Sequence, residues 1–302
     1  MGRNEMSKYV FGGTYGPAKT GKTLAMVRAF PDGLFIGLRG ALKCANFIGC
    51  KVKAIEVDER IGIGEIAKLI KAHSAEYPAI IIDDFSIIAD MELAKCKKAV
   101  AGWGAFDIFN KRVYDMRDAA RNADCHVFLT MHEQSPKEVG QDGQKRWVKG
   151  CPLIPGWQLP EKLPAMWDFC ARVVYDKKAK GWPYVYQTGP DPSYITGDRL
   201  AITPETFPLN LREVLLAAGY DVPRPESFKG FDEHVEALSQ DLSQTLADKR
   251  PDVKAVFSSW EERLLTKVQD PKHVRWIFLD ALDRASLRQH SSNLLHNFID
   301  SM

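Results

Sequence analysis

The stretch Gly16-Pro-Ala-Lys-Thr-Gly-Lys-Thr23 decides the fold of this chain. It matches the pattern G-x-x-x-x-G-K-T/S at every defined position, and it lies between a β-rich run and a stretch of helical period. The glycines allow a backbone that turns several N–H groups inward, and the start of the following helix adds the positive end of its dipole. The sequence therefore predicts a phosphate-binding loop for ATP.

The predicted cofactor contacts are the whole loop and the helical residue after it. They are Gly16, Pro17, Ala18, Lys19, Thr20, Gly21, Lys22, Thr23 and Leu24. The Lys22 ammonium is expected to reach the β- and γ-phosphates, and the Thr23 hydroxyl to bind the accompanying Mg²⁺. Lys19 and Thr20 would then act as backbone donors. The predicted cofactors are thus ATP and Mg²⁺.

A second metal ligand is expected about 60 residues downstream. The run Ala79-Ile-Ile-Ile-Asp83 has no polar alternation, which is typical of a central parallel strand buried on both faces. Asp83 stands at the end of that run. A carboxylate at the tip of such a strand can hold a nucleotide-bound Mg²⁺ through a metal-bound water.

The group that activates the attacking water is predicted to be Asp84, because it directly follows the metal-binding residue. A cap on the helix near Ser86 is its structural alternative. Other candidates for the base are Glu56, Asp58 and Glu59. Thr130 and His132 end a later strand, where a polar side chain could detect the γ-phosphate.

Outward from the loop, the pattern predicts an α/β fold with a parallel sheet flanked by helices. The predicted strands are Tyr9–Thr14, Gly33–Gly37, Val52–Val57, Ala79–Asp83 and His126–Met131. The predicted helices are Lys22–Ala29, Ala41–Ile48, Ile63–His73 and Phe106–Asn122.

The remainder of the chain divides into three parts. Gln134–Gly150 is polar and glycine-bearing and is predicted to be a long loop. Phe169–Tyr175 and Tyr184–Gln187 are predicted to form a β-hairpin extension of the core. Helical spacing dominates the last third, so we expect residues 1–200 to form the core with its hairpin and residues 201–302 to form a C-terminal helical region.

Composition sets broad limits. The 302 residues are 45% hydrophobic and carry a formal charge of +2, which gives no global attraction to polyanions. The six cysteines form no C-x-x-C pair, which favours buried thiols in a reducing compartment. Since no segment approaches the roughly 18 continuous apolar residues of a membrane span, we expect a cytoplasmic protein without a membrane partner.

Four stretches together resemble the RecA-like P-loop ATPases, especially the phage members thought to act in single-strand annealing or recombination. They are Gly16–Thr23, Phe35-Ile-Gly-Leu-Arg-Gly-Ala-Leu42, Ile80-Ile-Ile-Asp-Asp84 and Val127-Phe-Leu-Thr-Met-His132. The later Tyr194-Ile-Thr-Gly-Asp-Arg199 also looks like a segment of the phage branch. A phage protein of this kind would act in the host cytoplasm.

The resemblance implies a sheet in which the strand that ends near His132 lies between the phosphate-loop strand and the Asp83 strand. It also implies that His132 is the γ-phosphate sensor and that the loop after it faces DNA. One departure concerns the catalytic glutamate of RecA-like proteins, since Arg39 stands at the matching position. Hydrolysis would then be slow or would rely on Asp84.

The composition of the loop after His132 suits single-stranded DNA. Its expected DNA contacts are Lys137, Lys145, Arg146, Trp147 and Lys149. Cations can meet phosphates while a base stacks on the indole, although Glu138 and Asp142 lie in the same loop. Solvated loop charge is the alternative interpretation.

RecA-like ATPases commonly complete their site with a cation from a neighbouring subunit, so the resemblance implies self-association as a ring or filament. Arg199 is the predicted residue, and Lys178 and Lys180 in the hairpin turn are the alternatives. A single-strand binding protein or a replication protein is a further expected partner.

The sequence therefore predicts an ATPase that acts on single-stranded DNA in recombination, annealing or replication. Two other functions stay open: a nucleotide-switched assembly factor that ignores DNA, which Arg39 favours, and a P-loop kinase.

Overall fold

The computed structural model describes residues 8–43, 52–58, 60–139, 146–156, 158–178, 183–200, 206–220, 222, 231–246 and 253–266, and the helical positions 274, 277, 278, 280, 281 and 285. Glu59, Lys145 and Lys180 lie outside the described residues, as does most of the predicted helix Ala41–Ile48.

The described strands alternate with helices in the first half of the chain. The strands are β1 Phe11–Gly16, β2 Leu34–Leu38, β3 Lys53–Val57, β4 Ala79–Asp83, β5 His126–Gln134, β6 Lys137–Val139, β7 Arg146–Val148, β8 Cys151–Pro152, β9 Phe169–Tyr175, β10 Tyr184–Gln187, β11 Gly197–Asp198 and β12 Thr206–Pro208. The helices are α1 Lys22–Ala29, α2 Ile63–His73, α3 Phe85–Ala99, α4 Trp103–Arg121, α5 Leu159–Lys162, α6 Leu211–Ala217, α7 Phe231–Leu246 and α8 Val253–Leu265. A 3₁₀ turn covers Pro164–Met166.

The central sheet has the strand order β12-β10-β9-β1-β5-β4-β2-β3. All neighbours from β9 to β3 are parallel, and β5 pairs with both β1 and β4. The mixed α/β class and the expected position of β5 are therefore confirmed. Because the strands are parallel, the carboxyl ends of β1, β4 and β5 meet at one edge of the sheet.

Helices cover both faces of this sheet. All five residues of β4 are buried, which agrees with a central strand that has no polar alternation. Ile80 and Ile82 pack in an apolar cluster with α2, α3 and α4, whereas Ile81 packs in a second cluster with α1 and α6. The second cluster also takes in buried residues of α7 and α8, so the C-terminal helices pack on the same core as the sheet. The division at residue 200 stays a prediction.

Three elements differ from what the pattern predicted. The hairpin of β9 and β10 forms, but β9 also pairs in parallel with β1, so that the hairpin continues the central sheet. Gln134–Gly150 is not a loop throughout, because β6 and β7 form an antiparallel hairpin within it. The sequence pattern did not predict helix α3, because the buried face of this helix includes the polar residues Ser86 and Glu92.

Two further expectations can be compared with the described residues. Cys96, Cys125, Cys151 and Cys170 are buried free thiols. Within the described part of the chain, no helix combines enough length and apolar character to cross a membrane.

Candidate functional site

The loop between β1 and α1 has the backbone that its glycines predict. Gly21 precedes the helix with φ 86°, and Lys19 has φ 60°, so both occupy the left-handed region. Gly16 leaves no room for a side chain, because a Cβ there would lie 2.9 Å from the Val173 carbonyl oxygen. The side chains of Pro17, Ala18 and Lys19 are exposed. The loop thus opens to solvent at the start of α1.

Lys22 begins α1 and is only 8% exposed. Its Nζ donates to the carbonyl oxygens of Gly16, at 3.1 Å, and Pro17, at 2.6 Å. Burial lowers the pKa of Lys22, while the negative charges of Asp84, Asp83 and Glu133 act in the opposite direction. A phosphate in the loop would offset this desolvation of the ammonium group.

The two predicted metal ligands lie together. The Thr23 hydroxyl donates to Asp83 Oδ2 at 2.9 Å, and the Thr130 hydroxyl donates to Asp83 Oδ1. Burial raises the pKa of Asp83, and the hydrogen bonds from Thr130 and Thr23 oppose that rise. Hydroxyl and carboxylate oxygens are ligands that Mg²⁺ prefers, so Thr23 and Asp83 fit the ion.

Asp84 and His132, two of the predicted catalytic residues, also contact each other. Asp84 caps α3 because its Oδ1 accepts from the Ser86 N–H at 2.8 Å. Its Oδ2 lies 2.7 Å from His132 Nε2. The backbone N–H of His132 donates to Ser86 Oγ at 2.9 Å, and His132 pairs with Gly16 in the β1–β5 register. The pair therefore borders the phosphate loop.

The side chains of Thr20 and Leu24, two of the predicted ATP contacts, are buried within the protein. Thr20 is buried, and its hydroxyl donates to the Pro17 carbonyl oxygen at 3.0 Å. The side chain of Leu24 is buried in the apolar cluster that includes α1. Only the backbone of Leu24 can therefore face a phosphate.

Sequence reasoning missed an ion pair beside this site. Arg172 Nε donates to Glu133 Oε2 at 2.6 Å, and the Arg172 guanidinium carbon lies 3.3 Å from the centre of the Tyr194 ring. Both charged side chains are largely buried. Tyr194 also closes on Gly150, where a Cβ would lie 2.3 Å from the ring. This Glu133–Arg172 junction therefore joins the end of β5 to the chain that follows β7.

The two alternative acids that the structure describes, Glu56 and Asp58, are not brought to the loop. Glu56 is exposed on β3, the edge strand, which β2 separates from β4. Asp58 pairs with Arg60 at 2.6 Å, and hydrogen bonds from Arg60 lower the pKa of Asp58 to about 2. Arg39 is exposed after β2.

Arg199 lies far from the chain's own phosphate loop. Arg199 follows β11, which pairs with the first residues of β9. One of these residues, Phe169, is level with Gly12, near the start of β1. The loop instead follows the end of β1, at the opposite edge of the sheet. The Arg199 guanidinium donates to the Ala165 carbonyl oxygen at 2.6 Å and is exposed. The alternative Lys178 is exposed in the β9–β10 turn.

The predicted DNA contacts that the structure describes, which are all but Lys145, lie on the β6–β7 hairpin or beside it. Trp147 is 61% exposed and stands opposite Glu138, and Lys137 is exposed. Arg146 Nη2 lies 3.4 Å from Glu161, and Lys149 Nζ donates to the Asp191 carbonyl oxygen at 2.8 Å. The hairpin therefore presents an exposed indole among cations.

Comparisons with known proteins identify a family. Residues 11–200 match the family model described as "AAA domain". No curated protein matches the chain. Among the solved structures that match is the "Crystal structure of the RadB recombinase", with 12% identity, a TM-score of 0.36, and coverage of 59% of this chain and 79% of that one.

Proposed function

Because the chain belongs to the AAA domain family, we propose that it binds and hydrolyses ATP at the carboxyl ends of β1, β4 and β5. The observation that carries this proposal is the convergence of Lys22, Thr23 and Asp83 on one loop. Lys22 and Thr23 begin α1 and Asp83 ends β4, and the Thr23 hydroxyl donates to the Asp83 carboxylate at 2.9 Å. The buried Lys22 ammonium and the buried Asp83 carboxylate form an arrangement that Mg²⁺ and phosphates would complete.

Each of these residues has a distinct task. Lys22 exchanges its two carbonyl contacts for oxygens of the β- and γ-phosphates, where its charge stabilises the transition state. Thr23 and Asp83 hold Mg²⁺, and Thr130 keeps the Asp83 carboxylate in place. When bound, the ion neutralises charge that develops between the β- and γ-phosphates. Asp84 and His132 face the γ-phosphate side of the site.

The substrate on which this ATPase acts is single-stranded DNA, in recombination, annealing or replication. The β6–β7 hairpin supports this part of the proposal, because it combines the exposed Trp147 with Lys137 and Arg146. An exposed indole can stack on a base of any identity, and the cations can meet phosphates. A single-strand binding protein or a replication protein would share such a substrate.

The protein also assembles into a ring or filament, with Arg199 acting on the site of a neighbouring subunit. The position of Arg199 supports this role, since the residue lies at the opposite edge of the sheet from its own loop. A cation in that position can reach a γ-phosphate only in trans.

A second candidate function is a nucleotide-switched assembly factor that does not bind DNA. Arg39 favours it, because an exposed arginine follows β2 where RecA-like proteins carry the catalytic glutamate. Slow hydrolysis would suit a switch.

Steady-state ATP turnover, measured with and without single-stranded DNA of mixed sequence, tests the proposal. We expect Mg²⁺-dependent release of phosphate that the DNA stimulates. Turnover that DNA leaves unchanged would favour the assembly factor, and the absence of both turnover and ATP binding would reject the site assignment.

A further inference from the structure

We infer that His132 Nδ1 accepts the proton of the attacking water and that Asp84 positions the His132 imidazole. This inference rests on the proposed ATP hydrolysis and assigns a proton acceptor to it. It exchanges the roles predicted from the sequence, in which Asp84 was the base and His132 a sensor of the γ-phosphate.

The hydrogen bonds around Asp84 leave it little capacity as a base. Its Oδ1 accepts from the Ser86 N–H, and its Oδ2 lies 2.7 Å from His132 Nε2. An ionised carboxylate can only accept, so the hydrogen between the two side chains belongs to Nε2. The neutral imidazole then carries its free electron pair on Nδ1. No donor contacts Nδ1 within the described part of the chain.

The other carboxylates near Lys22 are also engaged. Asp83 accepts from Thr23 and Thr130, one hydroxyl on each oxygen. Glu133 is paired with Arg172. Asp83, Asp84 and Glu133 all act on Lys22, and all three accept hydrogen bonds within the described part of the chain. His132, which contacts Asp84, thus keeps a basic atom, Nδ1, that has no partner among the described residues.

The imidazole also lies where an attacking water can stand. His132 is level with Gly16, the first residue of the loop. Asp84, the hydrogen-bond partner of His132, is the acid that raises the pKa of Lys22 most. The side chain of His132 is 32% exposed, so water reaches it. The same arrangement of an acid that orients a histidine base recurs in enzymes of unrelated folds.

The water oxygen forms a bond to the γ-phosphorus while the bond from that phosphorus to the β–γ bridging oxygen breaks, and its electron pair leaves with ADP. The water proton moves to His132 Nδ1. The resulting imidazolium is stabilised by the Asp84 carboxylate at Nε2, and Nδ1 later releases the proton to solvent.

A pair of shape-conserving variants separates the two assignments. His132→Gln keeps a hydrogen-bonding side chain that can sense a phosphate but cannot take up a proton. We expect it to bind ATP with unchanged affinity and to lose about 10²-fold to 10⁴-fold in turnover. Asp84→Asn keeps the helix cap, because asparagine is an equally good capping residue. It should bind ATP normally and also lose turnover.

The position of the imidazole hydrogen provides a readout that does not depend on activity. Nitrogen NMR of the nucleotide-free protein at pH 8, with the His132 signals identified by their loss in His132→Gln, should show hydrogen on Nε2. In Asp84→Asn the amide can donate to Nε2, so the hydrogen should move to Nδ1. Hydrogen on Nδ1 in the wild-type protein would overturn the inference.

The turnover of the two variants completes the test. If His132→Gln keeps wild-type turnover while Asp84→Asn loses it, Asp84 is the base and the inference is wrong. A wild-type protein that neither binds nor hydrolyses ATP would instead reject the proposed function itself.

Discussion

The polar side chains of the phosphate-loop edge, where β1, β4 and β5 end, are bonded within the chain, whereas those of the β6–β7 hairpin are exposed. At the edge, Lys22, Asp83 and Asp84 are held by hydrogen bonds within the chain. On the hairpin, Trp147 is 61% exposed, and Lys137 is exposed as well. The first region is already organised for a ligand of one shape, whereas the second offers charge and an aromatic face to a ligand of variable shape.

Among the variants, Lys22→Ala in the phosphate loop should cause the largest loss of turnover. Without the ammonium, the β- and γ-phosphates lose their main side-chain charge, so we expect turnover to fall by about 10³-fold or more. Phosphate release at saturating ATP measures the effect, and circular dichroism checks the fold. Lys19→Gly is the matched control, because it removes an exposed cation from the same loop and suits the left-handed backbone there. A folded Lys22→Ala protein with wild-type turnover would contradict the site.

Arg199→Ala tests whether the edge is complete within one subunit. A cation supplied in trans is typically worth about 10³-fold in rate, so we expect a loss of that order with ATP binding retained. Specific activity of the wild type should rise with its own concentration. Lys177→Ala, which removes another exposed cation, serves as the control.

Mixing two inactive variants decides the trans role of Arg199. An Arg199→Ala subunit keeps a sound loop, and a Lys22→Ala subunit keeps a sound Arg199, so the mixture should regain part of the turnover. Light scattering must show that the two have assembled together. Co-assembly without any recovery would argue against Arg199 as the trans residue.

The Glu133–Arg172 junction connects the two regions, and Arg172→Met should loosen it. The change strands the Glu133 carboxylate in a largely buried position, so we expect a loss of about 2 to 4 kcal/mol in the free energy of unfolding. Urea denaturation measures it. Arg172→Met combined with Glu133→Gln should recover part of the loss, and a double variant as unstable as the single one would show that the charge pair is not the cause.

The hairpin should give the smallest and most graded effect. Removing cations weakens binding to single-stranded DNA of every sequence, and the slope of log affinity against log salt should become shallower by about 0.7 per lost phosphate contact. The residues to replace together are Lys145, Arg146 and Lys149. The control removes as much charge from exposed helix positions, at Lys68, Lys71 and Lys111. An equal slope in both triple variants would assign the hairpin another task.

The organised region was also the more predictable of the two from sequence. The loop pattern and the apolar run before Asp83 are local signals, and they place β1, α1 and β4 within a few residues of the structure. The position of β5 between β1 and β4 followed from the resemblance, since alternation alone does not say which strands are neighbours. The contact of Asp84 with His132 needed that order.

The remaining features depend on contacts between distant residues. Glu133 and Arg172 are 39 positions apart, and their pairing requires β9 to lie beside β1. Helix α3 was missed because Glu92, a buried acid, accepts from the Ile63 N–H and pairs with Arg112. In sequence, an acid on the inner face looks like a break in the apolar pattern.

A crystal structure with Mg²⁺ and a non-hydrolysable ATP analogue tests the central claim most directly. We expect the β- and γ-phosphates inside the Gly16–Thr23 loop, with Lys22 Nζ moved from the Gly16 and Pro17 carbonyl oxygens to the phosphates and with Mg²⁺ beside Thr23 and Asp83. An analogue bound elsewhere, with Lys22 still on its two carbonyl oxygens at saturating nucleotide, would contradict the account.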